Sequence, residues 1–178
     1  MSLDAPVSRY LPDGVKVPLR SGRPITLVDL ATHTSGLPLR PTNLPSPNPE
    51  NRYAGYTVDL MYRCLSALAA SGDLGTEYGY SNLGYGVLEE IIAKVSGRPY
   101  EQFMREEVFQ PLGMTTAAIG TGAGLAASAV RYTAERKPIA FYDFDHRGAS
   151  AVYTSAHDLV RFGMFHLKDH LRDQRPIL

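Results

Sequence analysis

Apolar residues recur at helical spacing in several segments, and between them the pattern dissolves into proline and glycine. From Thr57 onward Val58, Met61, Leu65 and Leu68 fall three or four apart, which predicts a helix to about Ala70, stopped by Gly72 and Gly75. The most regular segment is "LGYGVLEEIIAKVSG". There Leu83, Val87, Ile91 and Val95 form one stripe, Leu88 and Ile92 widen it, and Gly97 stands where a C-cap belongs. Pro99 opens a further helix, "YEQFMREEVFQ", with Tyr100, Phe103, Met104 and Val108 on one side, until "PLGM" breaks it. Two shorter patterns complete the set. Thr26 caps "LVDLATHT", with Leu27 and Leu30 as the apolar side and Gly36 as the end. Ser155 caps "AHDLVRFGMFHL", with Asp158 three residues on as an acidic capping partner.

The intervening chain is poor in strand signals. Pro6, Pro12, Asp13-Gly14 and Pro18 punctuate an extended start. The stretch "PLRPTNLPSPNP", Pro38 to Pro49, cannot be helix or central strand because proline lacks the N–H that both need. It reads either as a linker or as a long loop beside a site. "IGTGAGLAASA" is small and glycine-rich, and "KPIAFYDFDH" reads as a strand or hairpin arm. Helical faces with so little strand must bury on each other or on something outside the chain.

Composition narrows the class. The 178 residues are 44% hydrophobic and 20% charged, a globular profile with room for one ordinary domain. Lys+Arg and Asp+Glu balance at 18 each, and no basic stripe suits a nucleic acid. No apolar run approaches the length of a membrane span, and the start "MSLDAPVSRYLPDG" lacks the basic and apolar regions of a signal peptide. The single Cys64, on the flank of a helical stripe, reads as a small core residue rather than a nucleophile. His166 and His170, four apart on a helix, could seat a metal but have no third ligand, so neither metal nor cofactor is expected. "GTGAGLAAS" has neither the lysine nor the preceding strand of a phosphate-binding loop and reads as a flexible loop.

One stretch concentrates candidate chemistry: "YGYSNLGYG", Tyr78 to Gly86. As structure it is a helix entry, with Ser81 or Asn82 as cap and glycines allowing close approach. As chemistry it places a tyrosine hydroxyl at a helix N-terminus, where the positive dipole end favours a phenolate able to act as general acid or base. Gly-x-Ser-x-Gly and His-Glu-x-x-His are both absent.

Four ordered stretches carry a family resemblance. "LDAPVSRYLP", "ITLVDLATHTSGLP", "YSNLGYGVLEEIIAKVSGRPYEQFMREEVFQPLGM" and "GASAVYTSAHDLVRFGMF" resemble, in that order, elements of the serine β-lactamase-like family. That family takes in class C β-lactamases, D-alanyl-D-alanine carboxypeptidases and related esterases. The resemblance implies an α+β fold, of which residues 1–178 hold mostly the helical region. It aligns Tyr80 with the catalytic tyrosine that moves protons to and from nucleophile and leaving group. It aligns Asn82 with the asparagine that hydrogen-bonds substrate and the catalytic lysine. Ser81 falls at the variable middle position, and Leu74 stands where a proline is common before Gly75-Thr76.

The family's chemistry also needs Ser-x-x-Lys, whose two side chains share one helix face, and no serine here has a lysine three residues on. Ser128-Ala-Val-Arg131 comes nearest, but arginine stays protonated and cannot act as base. The family's Lys-Thr-Gly or His-x-Gly strand element is missing too, and His33-Thr34-Ser35-Gly36 belongs to the "THTSGLP" element, where a structural role is expected. The expectation is a partial domain, 1–178, without the nucleophile helix and the closing strands. Any export signal would then precede Met1. Such a chain would be part of a serine hydrolase of small-molecule amides or esters and inactive alone. The alternatives are a ligand-binding or regulatory relic, and a gene fragment without stable function.

Overall fold

In a computed structural model the described residues are 1–45, 53–75, 77–120, 128–139, 147–149 and 151–167. They fall into two units, each described by itself. The first comprises residues 1–97 with 147–149, and the second the described residues of 98–139 and 151–167.

In the first unit a 3₁₀ turn, Val7–Arg9, leads to an antiparallel hairpin of β1 (Leu19–Arg20) and β2 (Arg23–Pro24). The short helix α1 (Leu27–Ala31) follows, and its Thr26 cap forms a full capping box with Asp29. Asp29 is buried, and Arg20 and Arg23 reach its carboxylate at 3.4 and 3.2 Å, so one acid joins the hairpin to the helix. Thr26 is the cap expected from the sequence, and Asp29 returns the bond, its Oδ2 accepting the Thr26 N–H at 3.0 Å. The helix ends before the expected Gly36, because His33 turns left-handed at φ 59°. Gly36 serves close approach instead. Its φ is +74°, and a Cβ there would lie 2.6 Å from the Leu74 carbonyl oxygen.

Helix α2 (Val58–Ser71) is capped by Thr57, whose hydroxyl accepts the Leu60 N–H. Helix α3 (Asn82–Ser96) starts at Ser81 and ends at Gly97 in the left-handed conformation, φ 67°. Leu83, Val87 and Ile91 bury one side of α3 against Met61, Cys64 and Leu65 of α2 and against Ile25, Leu27 and Leu30. The stripes are shorter than their periodicity suggested: Val58 at the start of α2 and Val95 at the end of α3 are exposed, because each lies at a helix terminus beyond the packed centre. Cys64 is buried in this core, as its position on the stripe's flank indicated. The turn Arg147–Ala149 lies on α3, where the Gly148 N–H donates to Glu89 Oε2 at 3.0 Å.

In the second unit the expected long helix after Pro99 is two pieces. The α-helical part, α4 (Tyr100–Met104), passes into a π-turn over Arg105–Phe109, in which the Gln110 N–H donates to the Arg105 carbonyl five residues back. The extra residue per turn rotates the face that follows. Phe109, outside the predicted stripe, is buried with Leu112 and Met114, whereas Phe103 lies under the Arg98 guanidinium, 5.3 Å from its centroid. β3 (Ala118–Ile119) pairs antiparallel with β6 (Val152–Tyr153), and β4 (Arg131–Tyr132) with β5 (Pro138–Ile139), so the predicted hairpin arm begins at β5. Residues 140–146 and most of "GTGAGLAAS" lie outside the described residues.

Helix α5 (Ala156–Phe165) is capped by Ser155, whose hydroxyl accepts the Asp158 N–H at 3.2 Å. The expected return bond from Asp158 is replaced. The Asp158 carboxylate is buried and accepts from the Thr116 N–H at 2.6 Å and hydroxyl at 2.7 Å, while Thr116 Oγ1 accepts from the Ser155 N–H at 3.2 Å. Thr116 is thus inserted into the capping box. Burial pushes the Asp158 carboxyl up, but the two Thr116 bonds and the neighbouring His157 outweigh it and bring it down to about 2. His166 is the C-cap of α5, and His170 lies outside the described residues. Among the described residues the strands form only two-stranded antiparallel ladders, and no helix is long and apolar enough to cross a membrane.

Candidate active site

Tyr80 and Asn82 lie in the first unit, on either side of the residue that caps α3. The cap is Ser81 rather than Asn82: its hydroxyl accepts the Gly84 N–H at 2.9 Å and donates to the Pro38 carbonyl at 2.8 Å. A serine so engaged, and buried, is a structural cap and not an exposed nucleophile. The Asn82 N–H donates to the Leu39 carbonyl at 2.9 Å. The first residues of the proline-rich loop therefore run against the start of α3. The same loop is anchored at Asn43, whose Nδ2 donates to the Leu60 carbonyl at 2.8 Å and whose Oδ1 accepts from the Tyr56 hydroxyl at 3.1 Å. Burial of Tyr56 raises its pKa, so it stays a neutral donor to Asn43. Residues 46–52 of that loop lie outside the described residues.

Tyr80 is 53% exposed, and Tyr78 is 70% exposed. Tyr80 stands one residue before the cap, at the start of a fifteen-residue helix. His33 completes the cluster. Its ring packs on Tyr80 with centroids 4.4 Å apart and on Tyr85 at 4.9 Å, and Tyr78 meets its edge at 6.1 Å. The Tyr85 hydroxyl donates to the Ala31 carbonyl at 3.0 Å, fixing that side to the end of α1. In the sequence His33 carries only the structural role expected of the "THTSGLP" element. A histidine just beyond a short helix, in a motif that approaches the candidate tyrosine through nothing in the sequence, offered no signal of this contact.

A family model for the β-lactamase domain matches residues 1–177. The chain belongs to the β-lactamase family. AmpH of Escherichia coli, named a D-alanyl-D-alanine-carboxypeptidase/endopeptidase, is 38% identical over 114 residues, 64% of this chain and 29% of AmpH. The putative penicillin-binding protein PbpX of Bacillus subtilis is 33% identical over 175 residues, 96% of this chain and 41% of PbpX. Among solved structures, a class C β-lactamase in complex with cefoxitin superposes with a TM-score of 0.75 at 26% identity, covering 99% of this chain and 48% of that one. The chain therefore has the fold of part of an α+β β-lactamase domain, and it spans less than half the length of each of these relatives.

Proposed function

We propose that this chain forms one wall of the acyl-transfer site of a serine hydrolase that acts on β-lactam, D-alanyl peptide or carboxylic ester bonds. The observation that carries the reading is the entry to α3, where Tyr80 and Asn82 flank a serine that is wholly occupied as a cap. In this reading the Tyr80 phenol carries a proton between nucleophile and leaving group. The Asn82 carboxamide, with one acceptor and two donor hydrogens, orients the substrate. Family membership over residues 1–177 supports both roles.

The nucleophile is a different serine, paired with a lysine, and that pair is not among the 178 residues. Without it no acyl-enzyme forms, so the chain alone turns over neither nitrocefin nor p-nitrophenyl butyrate above background. Turnover by the chain that Tyr80→Phe abolishes would overturn this. Joined to a preceding Ser-x-x-Lys segment, the protein is expected to form a covalent adduct with a fluorescent penicillin. Tyr80→Phe should slow that acylation by roughly 10²–10⁴-fold, the usual worth of a general acid–base group.

A further inference from the structure

His33 holds the peptide on both sides of Tyr80. Its carbonyl accepts the Gly79 N–H at 2.9 Å, and its ring Nδ1 accepts the Ser81 N–H at 3.1 Å. The residues before and after Tyr80 are thus tied to one residue in another part of the sequence, and the Tyr80 ring rests on the same imidazole, 4.4 Å between centroids and tilted by 38°. Tyr80 itself is 53% exposed, so the ring of His33 supplies packing that solvent does not.

The backbone of His33 is in the left-handed region, φ 59°, a conformation that costs any residue with a Cβ. Glycine would adopt it freely. Glycine would also keep the carbonyl acceptor for Gly79, yet it could supply neither the acceptor for Ser81 nor the ring under Tyr80. Histidine supplies both. An Nδ1 that accepts must be unprotonated, which places the proton of the neutral ring on Nε2. Protonation would put a hydrogen on Nδ1 facing the Ser81 N–H and break the bond. The rings facing His33 are those of Tyr78, Tyr80 and Tyr85.

We propose that His33 is a positioning residue for Tyr80, setting the place and angle of the phenol through a two-sided backbone clamp and a stacked ring. This rests on the reading of Tyr80 as the proton carrier, and the experiment separates the two. In the 178-residue chain, labelled at histidine nitrogen and tyrosine carbon, the neutral His33 ring is expected as the Nε2–H tautomer. The Ser81 amide is expected to exchange slowly and the Tyr80 ring to show a shift from the imidazole. His33→Gly should free the Ser81 amide and erase that shift. His33→Asn tolerates the left-handed backbone and places an acceptor oxygen the same number of bonds from Cα as Nδ1, so it should keep the amide protected and lose only the shift.

Joined to a Ser-x-x-Lys segment, His33→Gly should slow acylation by a fluorescent penicillin by about 10–100-fold, the scale of a misplaced reacting group, with the Asn variant recovering most of it. A fast-exchanging Ser81 amide in the wild-type protein, or wild-type acylation by His33→Gly, would overturn the clamp. Wild-type acylation by Tyr80→Phe, with the Ser81 amide still protected, would overturn the proton-carrier role alone.

Discussion

The two units are held together in different ways. In the first, Val7 and Leu11, Ile25 and the buried sides of α1, α2 and α3 make one apolar cluster, and two buried polar residues of the unit, Asp29 and Ser81, sit at helix starts with their bonds made. In the second, among the described residues, the buried apolar cluster is Phe109, Leu112 and Met114, all from one π-turn and the loop after it. Phe165 brings the end of α5 onto this cluster, and polar bonds fix the rest: the Asp158 carboxylate on Thr116, and Arg161 Nε on the Leu112 carbonyl at 2.6 Å. Leu159 and Val160 of the same helix stay exposed. Long apolar stripes fix packing by area and tolerate approximate geometry. A short apolar core leaves more of the arrangement to directional bonds, each costly to leave unmade.

Substitutions can break or sharpen this contrast. The largest effect is expected from Leu83→Ala, since Leu83 has no exposed surface in the first core: a loss of about 2–5 kcal/mol, read by urea unfolding. Amide exchange should rise in α3 well before α5; equal loss in both would show that the cores are not separately built. Asp158→Asn comes next, at about 2 kcal/mol, because it weakens two bonds to a buried carboxylate. The carboxyl is held at about 2, below its usual 3.8. Its stabilisation is therefore complete above about pH 4 and lost as pH falls toward 2, and the Asn variant should lack that acid step in α5 exchange. Ser81→Ala should cost about 1 kcal/mol and speed exchange at Gly84, the usual effect of losing an N-cap. Smallest is Val160→Ser, within roughly 0.5 kcal/mol by thermal unfolding, because Val160 is exposed. A larger loss would mean that the Val160 face of α5 carries apolar packing.

The legible part of the molecule follows the same division. Helices α2 and α3 are legible within a residue or so, because the Thr57 cap, the Ser81-Asn82 pair as cap candidates and the closing Gly97 are local signals and the stripes are long. The helix after Pro99 was read as one piece because a π-turn leaves no mark on apolar spacing, and the burial of Phe109 depends on it. Asp158 was legible as a capping residue but not as a buried carboxylate, since its partner Thr116 lies 42 residues away.

The candidate site divides likewise. That Tyr80 and Asn82 stand at a helix entry, that the family's ordered elements are present, and that no Ser-x-x-Lys occurs are properties of the linear chain. They rest on short-range rules: caps, periodicity and spacing. That the cap is Ser81, that the proline-rich loop lies against it, and that His33 grips the peptide on both sides of Tyr80 were decided by tertiary structure alone. The loop and His33 contacts join residues more than forty positions apart, and local propensity carries no information about which distant backbone groups will meet.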